Sequence, residues 1–196
     1  EKPIRETIDL NTLLNDVVRI RAYNLRVTNI QLSEDYDQTL PLTIGDPNQL
    51  RQVFLNIVTN AEQAILKSHS RGAISVSTSH VSHDARSYLL AVIKDSGPGI
   101  SSTHMSKIFD PFFTTKGKGE GTGLGLSISY GIVQEHGGRL WVESPDDEGA
   151  HFIVELPVIV EPLDGDESDD ADVDPVTIQG KHVLVVDDED DIIDYL

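Results

Sequence analysis

The sequence predicts an α/β domain, and three observations carry that expectation. Two stretches, 10–27 and 47–68, repeat apolar residues at helical spacing. Four others, 73–81, 87–94, 139–144 and 151–156, alternate or run apolar in the manner of paired strands. One of those strands ends in an acid, Asp95, and opens a series of glycine turns that runs into a third helix. The 196 residues are enough for one domain of about 150 residues with extras.

Asp9 suits the N-cap of a helix from Leu10 to Val27, with Leu10, Leu13, Leu14, Val17, Val18 and Ile20 as its apolar face. Ile30 to Asp35 alternates like a strand, and Pro41 to Ile44 reads as a second short one. Asp46 and Pro47 then form an N-cap and first-turn pair for a helix over 47–68. Its stripe is Leu50, Val53, Phe54, Ile57, Val58, Ala61, Ala64 and Ile65. On another face Gln52, Asn56, Asn60 and Gln63 fall in line. Asparagine is a poor helix former, so two of them one turn apart call for a reason. One reading is a solvated polar face. The other is a pair of amide oxygens, chiefly that of Asn60, offered to a hard cation such as Mg²⁺, which takes oxygen ligands and bridges to phosphates.

The strand over 87–94 delivers Asp95, whose carboxylate could accept a hydrogen bond from an adenine amino group and so reject guanine; alone, such a residue is an ordinary turn cap. Gly97 and Gly99 let the backbone turn and approach a flat ligand. A short helix is expected near Met105 to Phe109, and Phe109, Phe112 and Phe113 are suited to anchoring a covering segment on the core. Gly121, Gly123 and Gly125 would then expose backbone N–H groups where a helix over 123–136 begins, an arrangement that attracts phosphate. That helix is apolar on nearly every side and is expected to be buried on several faces, with Gly137 and Gly138 ending it. Pro145 to Gly149 has turn chemistry between the last two strands.

Each glycine motif is weak alone. A dinucleotide fingerprint wants a strand directly before its glycines, and here Thr114 to Glu120 is polar; a phosphate-binding loop of the Walker type wants Lys-Ser/Thr after them, and none follows. The three pieces in this order are far more specific, and they describe a nucleotide site with a mobile cover.

Composition narrows the partners. With no cysteine, disulfides and thiolate metal sites are excluded. No apolar run approaches the roughly 18 residues of a membrane span. The opening residues do not resemble a secretory signal, so a cytoplasmic location without membrane contact by this piece is expected. The net charge of −18 is uneven: residues 161–196 hold 14 of the 33 acids and one of the 15 bases. No basic patch suits nucleic acid, which is excluded as a partner. Eight acids in Glu161–Pro175 predict a flexible linker, after which Val183 to Val186 resembles a buried strand ending in Asp187 and Asp188.

These motifs resemble the catalytic ATP-binding domain of sensor histidine kinases. The stretch Asp46–Ala64 is similar to the family's N-box, Asp95–Gly99 to the first glycine box, Phe109–Phe113 to the F-box and Gly121–Leu126 to the second glycine box. Glu135–Ser144 and Gly149–Pro157 are also similar to the family. Gly180 onward resembles the start of a response-regulator receiver domain. The organisation implied is the end of a dimerisation helix or a linker over 1–8, the catalytic domain over 9–158, a flexible linker over 159–179 and a truncated receiver over 180–196, together part of a hybrid kinase.

The resemblance implies a two-layer α/β sandwich of the Bergerat type, a mixed sheet packed on helices, with ATP beneath a lid of about residues 101–122. It implies that Asp95 reads adenine beside Gly97, Gly99 and Ile100. Asn60, supported by Asn56, would hold Mg²⁺, and the amides of Gly121, Gly123, Leu124 and Gly125 would cradle phosphates, with Lys116 a lid cation. Gln63, Phe109, Thr115, Thr122 and Leu126 fall along the same nucleotide path. Gyrase-type relatives carry a water-activating Glu where this chain has Asn56, which favours a kinase over a hydrolase because an amide is no general base; the other alternative is a non-catalytic nucleotide-binding or docking module of a degenerate kinase, which the filled boxes disfavour. None of the seven histidines lies in a phosphoacceptor context. The implied partners are therefore ATP, a histidine-bearing dimerisation domain of the same homodimeric protein, and a receiver in cis or in trans.

Overall fold

The computed structural model describes residues 5–68, 71–83, 86–117, 121–146 and 148–158. The expected linker and receiver segments, 159–179 and 180–196, lie outside the described residues. Among the described residues no helix is long and apolar enough to cross a membrane.

The chain runs β1 (Glu6–Ile8), α1 (Leu10–Val27), β2 (Ile30–Asp35), β3 (Thr43–Gly45), α2 (Pro47–Ser68), β4 (Gly72–His83), β5 (Arg86–Asp95), α3 (Ser102–Met105), α4 (Gly125–Glu135), β6 (Arg139–Glu143) and β7 (His151–Pro157). Five strands form a sheet in the order β2-β4-β5-β7-β6. The β2–β4 pair is parallel and the other three pairs are antiparallel, so the sheet is mixed. The helices pack on one face of it, as the α/β reading expects.

Alternation along the strands sets that face. Ile74 and Val76 of β4, Leu89, Ala91 and Ile93 of β5, and Phe152, Val154 and Leu156 of β7 point into the core. They meet Leu50, Val53, Phe54, Ile57, Val58, Ala61 and Ile65 of α2. Each such side chain, fully buried, contributes about 1.5–3 kcal/mol, so α2 is held by its apolar stripe. Its start is fixed by Asp46, whose carboxylate accepts the Asn48 and Gln49 N–H groups at 2.8 and 3.2 Å. In α1 the Asp9 cap accepts the Thr12 N–H at 3.1 Å.

Several expectations need correction. Residues 6–8 are not a helical turn: they form β1, antiparallel to β3 with Glu6 opposite Gly45 and Ile8 opposite Thr43. Ile20 is 57% exposed: at 3.6 residues per turn it lies roughly 20° beyond Leu13, at the outer edge of the buried stripe. Arg21, in phase with the buried stripe, is carried inward instead and pairs with the buried Glu62 of α2. The short helix comes at Ser102–Met105, earlier than expected. Most clearly, α4 is not buried on several faces: Ser129, Ile132 and Val133 are buried, whereas Ile128 and Tyr130 are exposed. The core reaches α4 from one side, so apolar residues on its other faces stay at the surface.

Candidate nucleotide site

One face of α2 brings the sequence-predicted residues together. Reading along it, Asn56 touches α4, Asn60 and Gln63 meet Lys116, Ala64 lies against the turn after Asp95, and Lys67 donates to the Thr115 carbonyl at 3.2 Å. Spacings of three and four residues place these side chains on adjoining rows of the helix surface.

At the sheet end of this face, β5 delivers Asp95 into a nearly closed environment, 4% exposed. Its Oδ1 accepts the Gly97 N–H at 2.8 Å and the Ala150 N–H at 3.4 Å. Burial pushes the carboxyl above its ordinary pKa, against the opposing pull of those two N–H groups and of His151. A side chain at Gly97 would come within 2.7 Å of that Oδ1 and 3.2 Å of the Ala64 Cβ. Gly99 adopts a left-handed φ of +71°. Ile100, half-buried on the core, gives its N–H to the Ser144 hydroxyl at 2.8 Å.

Beside the Asp95 turn along the same face, Lys116 reaches across from its loop. Its Nζ donates to the Asn60 Oδ1 at 3.1 Å and also to the Gln63 Oε1. Partial burial, then the nearby charge of Lys67, lower its pKa. A cation thus already rests on two neutral amide oxygens. Among the described residues no group of three or more His, Cys, Asp or Glu could hold a metal. Asn56 has different company: its Nδ2 donates to the Ser129 Oγ at 3.0 Å, and a Cβ on Gly125 would lie 2.5 Å from its Oδ1.

The glycine-rich segment opens α4. Gly121 sits by the Lys116 stem and the Thr114 hydroxyl, and the Thr122 hydroxyl accepts the Leu124 N–H at 3.3 Å. Gly123, at φ +66°, accepts the Phe112 N–H at 2.9 Å, and a Cβ there would strike the Phe112 backbone at 2.4 Å. Leu124 is the cap residue, Gly125 begins the helix, and Leu126 packs on the core. The first-turn N–H groups of a helix have no intrahelical acceptor, so this end suits an anion. Phe109 packs by Tyr130 with ring centroids 5.3 Å apart, and Phe113 meets His104 edge-on. Phe112 does not anchor: it is 74% exposed with φ +66°.

Residues 45–159 match the family of histidine kinase-, DNA gyrase B- and HSP90-like ATPases. The chain belongs to that family. Within it, the chain carries the catalytic ATP-binding domain of a sensor histidine kinase. It is 39% identical over 153 residues to the sensor histidine kinase ZraS of Escherichia coli O157:H7, covering 78% of this chain and 31% of ZraS. The chain therefore spans about a third of that relative's length. The solved catalytic domain of the histidine kinase ThkA superposes with a TM-score of 0.68 at 32% identity, over 79% of this chain and 98% of that one. ThkA in complex with the response regulator protein TrrA gives 0.65 at 29% identity, over 79% and 42%.

In this histidine-kinase domain the groups present fit ATP. A buried, hydrogen-bonded carboxylate lies by Ala64 of α2, amide oxygens of Asn60 and Gln63 face a cation within a turn of it, and Asn56 lies against the start of α4. Sequence reasoning missed three contributors. Ser129 ties Asn56 to α4, Ser144 bridges two turns, and Gly149 packs so tightly that a Cβ there would lie 1.9 Å from the Asp95 carbonyl oxygen. The Gly149 turn carried a signal in its Asp-Asp-Glu-Gly sequence; the two serines carried none, since Asn56 and Ile100, which they join to the rest of the site, are 73 and 44 residues away.

Proposed function

We propose that this chain is the phosphoryl-donor module of a hybrid sensor histidine kinase. It binds ATP and passes the γ-phosphoryl group to a histidine of a dimerisation domain in the same homodimeric protein, for onward transfer to a receiver aspartate. The observation that carries the reading is the single face of α2, which meets the Asp95 turn through Ala64, the Lys116 ammonium through Asn60 and Gln63, and α4 through Asn56. The complex of ThkA with a response regulator supports the receiver as partner, and residues 180–196 keep their likeness to the start of one.

In this reading Asp95 accepts from the adenine amino group. Its Oδ1 serves the Gly97 and Ala150 N–H groups, so the second oxygen is the one offered to the base. Asn60 would hold Mg²⁺ in place of the Lys116 ammonium, with Asn56, which also pins α4, in support from one turn earlier. The ion would neutralise charge on the phosphates. The N–H groups from Gly121 to Gly125 and the Lys116 ammonium orient the phosphates and stabilise charge on the transferring group. The histidine nitrogen forms its bond to phosphorus as the bond to the β,γ-bridging oxygen breaks, and ADP leaves with that electron pair. Asn56 offers no general base for water, so transfer to histidine is favoured over hydrolysis.

The test is calorimetric titration of the chain with a non-hydrolysable ATP analogue, with and without Mg²⁺, beside its GTP counterpart and Asn60→Ala. The expected result is adenine-selective binding that Mg²⁺ tightens, with the Mg²⁺ effect gone in Asn60→Ala. Absence of binding, or steady ATP hydrolysis by the chain alone, would overturn the reading.

A further inference from the structure

We infer that Ser144, at the end of β6, is a positioning residue for adenine recognition. The inference rests on the nucleotide reading of the cleft and names a residue that reading does not use. The Ser144 hydroxyl accepts the Ile100 N–H at 2.8 Å and donates to the Gly149 carbonyl at 2.8 Å. One oxygen thus joins two turns that sequence separates by about 50 residues: the glycine turn after Asp95, and the turn between β6 and β7.

The second turn is itself part of the Asp95 support. The Asp95 N–H donates to the Ala150 carbonyl at 3.0 Å, and the Ala150 N–H returns to the carboxylate Oδ1. Gly149 stacks on the Asp95 backbone so closely that a Cβ would also approach the Gly97 nitrogen to 3.1 Å. Ser144 therefore closes a ring that runs from Asp95 through Gly97, Gly99 and Ile100, across its hydroxyl to Gly149, and through Ala150 back to Asp95. Within that ring the carboxylate and the Gly97–Ile100 backbone keep a fixed separation. The fit at Gly99 shows how closely the hydroxyl is packed: a Cβ there would stand 2.6 Å from the Ser144 Oγ.

Removing the hydroxyl leaves the Ile100 N–H and the Gly149 carbonyl without their partner and lets the two turns drift apart. The carboxylate survives, but its distance from the surface on which a base lies does not. The effect falls on discrimination among bases, and phosphate-end contacts, which lie along α2 and α4, are untouched.

The experiment compares wild type, Ser144→Ala and Ser144→Thr by titration with non-hydrolysable ATP and GTP analogues below each variant's thermal midpoint. Amide exchange is followed at Gly97 and Ile100 in the same samples. In Ser144→Ala the ATP analogue should bind about tenfold more weakly, as expected for the loss of two partly buried hydrogen bonds. GTP-analogue binding should stay the same, so the selectivity ratio contracts. Exchange at Ile100 should quicken while exchange in β5 does not, and Ser144→Thr should restore both. An unchanged selectivity ratio in Ser144→Ala, whatever happens to its thermal midpoint, would overturn the role, and so would equal weakening for both nucleotides. If wild type itself showed no adenine preference, the nucleotide reading would fall and this inference with it.

Discussion

The Lys116 ammonium stands 3.1 Å from the Asn60 amide oxygen, fastening a loop residue to the helix proposed to carry the metal site. Gln63 shares the same ammonium and Lys67 holds the Thr115 carbonyl, so two lysines tie residues 115–116 to α2. Lys116→Met keeps the stem and removes the charge. Amide exchange over residues 113–117 should then quicken in the nucleotide-free protein. The ATP analogue should bind about tenfold more weakly, in line with the loss of a charge-assisted hydrogen bond. Exchange and calorimetry on the same variant check both, and an unchanged exchange rate would show that the contact does not hold the segment.

Asp95 has a native pKa raised chiefly by burial. Between the unfolded and native values the folded protein binds more protons, so this group's contribution to stability falls as pH rises through that window. Asp95→Asn removes the buried charge and keeps an oxygen for the Gly97 N–H. The variant should melt at or above the wild-type temperature at pH 7, with adenine-nucleotide binding lost. Its thermal advantage should shrink as pH drops and wild-type Asp95 takes up its proton. Thermal scans at several pH values would test the sign, and a variant less stable than wild type at pH 7 would contradict it.

Arg21 and Glu62 join α1 to α2 in a largely buried ion pair, with the Arg21 Nε buried and without a hydrogen-bond partner. Truncating one member strands the other, so Arg21→Ala should cost about 3 kcal/mol. The apolar double variant Arg21→Met/Glu62→Leu should recover most of that loss. Denaturant unfolding of the two variants decides between this account and simple loss of packing, in which the double variant would be the worse.

Gly149 at φ +81° has no space for a side chain beside Asp95. Gly149→Ala should destabilise the domain by about 2 kcal/mol or more, from backbone strain and steric displacement together. Ala150 is the neighbouring support of Asp95, so adenine-analogue affinity should fall as well. Calorimetric melting paired with titration would check the two losses.

Much of the fold was legible because local signals agreed. Asp9 and Asp46 marked the helix starts, and alternation marked β4, β5, β6 and β7. The glycines at 97, 99 and 123 marked turns whose backbone leaves no room for a side chain. What escaped was decided by partners distant in sequence. β1 has three residues, too few to show a period. Apolar content alone told nothing of which way α4 would face, and Ile128 and Tyr130 are exposed for that reason. Arg21 was hidden in an apolar stripe because its partner lies 41 residues away. The left-handed Phe112 follows from its hydrogen bond to Gly123 and from no property of phenylalanine.

The small β1–β3 sheet has a mechanical consequence. β3 leads directly into Asp46, the cap of α2, whose N–H donates to the His136 Nε2 at 2.9 Å. Arg5, just before β1, donates to the Glu135 carbonyl at the end of α4 at 2.8 Å. Residues 5–8 are therefore linked by hydrogen bonds both to the root of α2, through β3, and to the tail of α4. The helices that carry Asn60 and Ser129 are thus joined at their far ends by residues that lie outside the proposed nucleotide path.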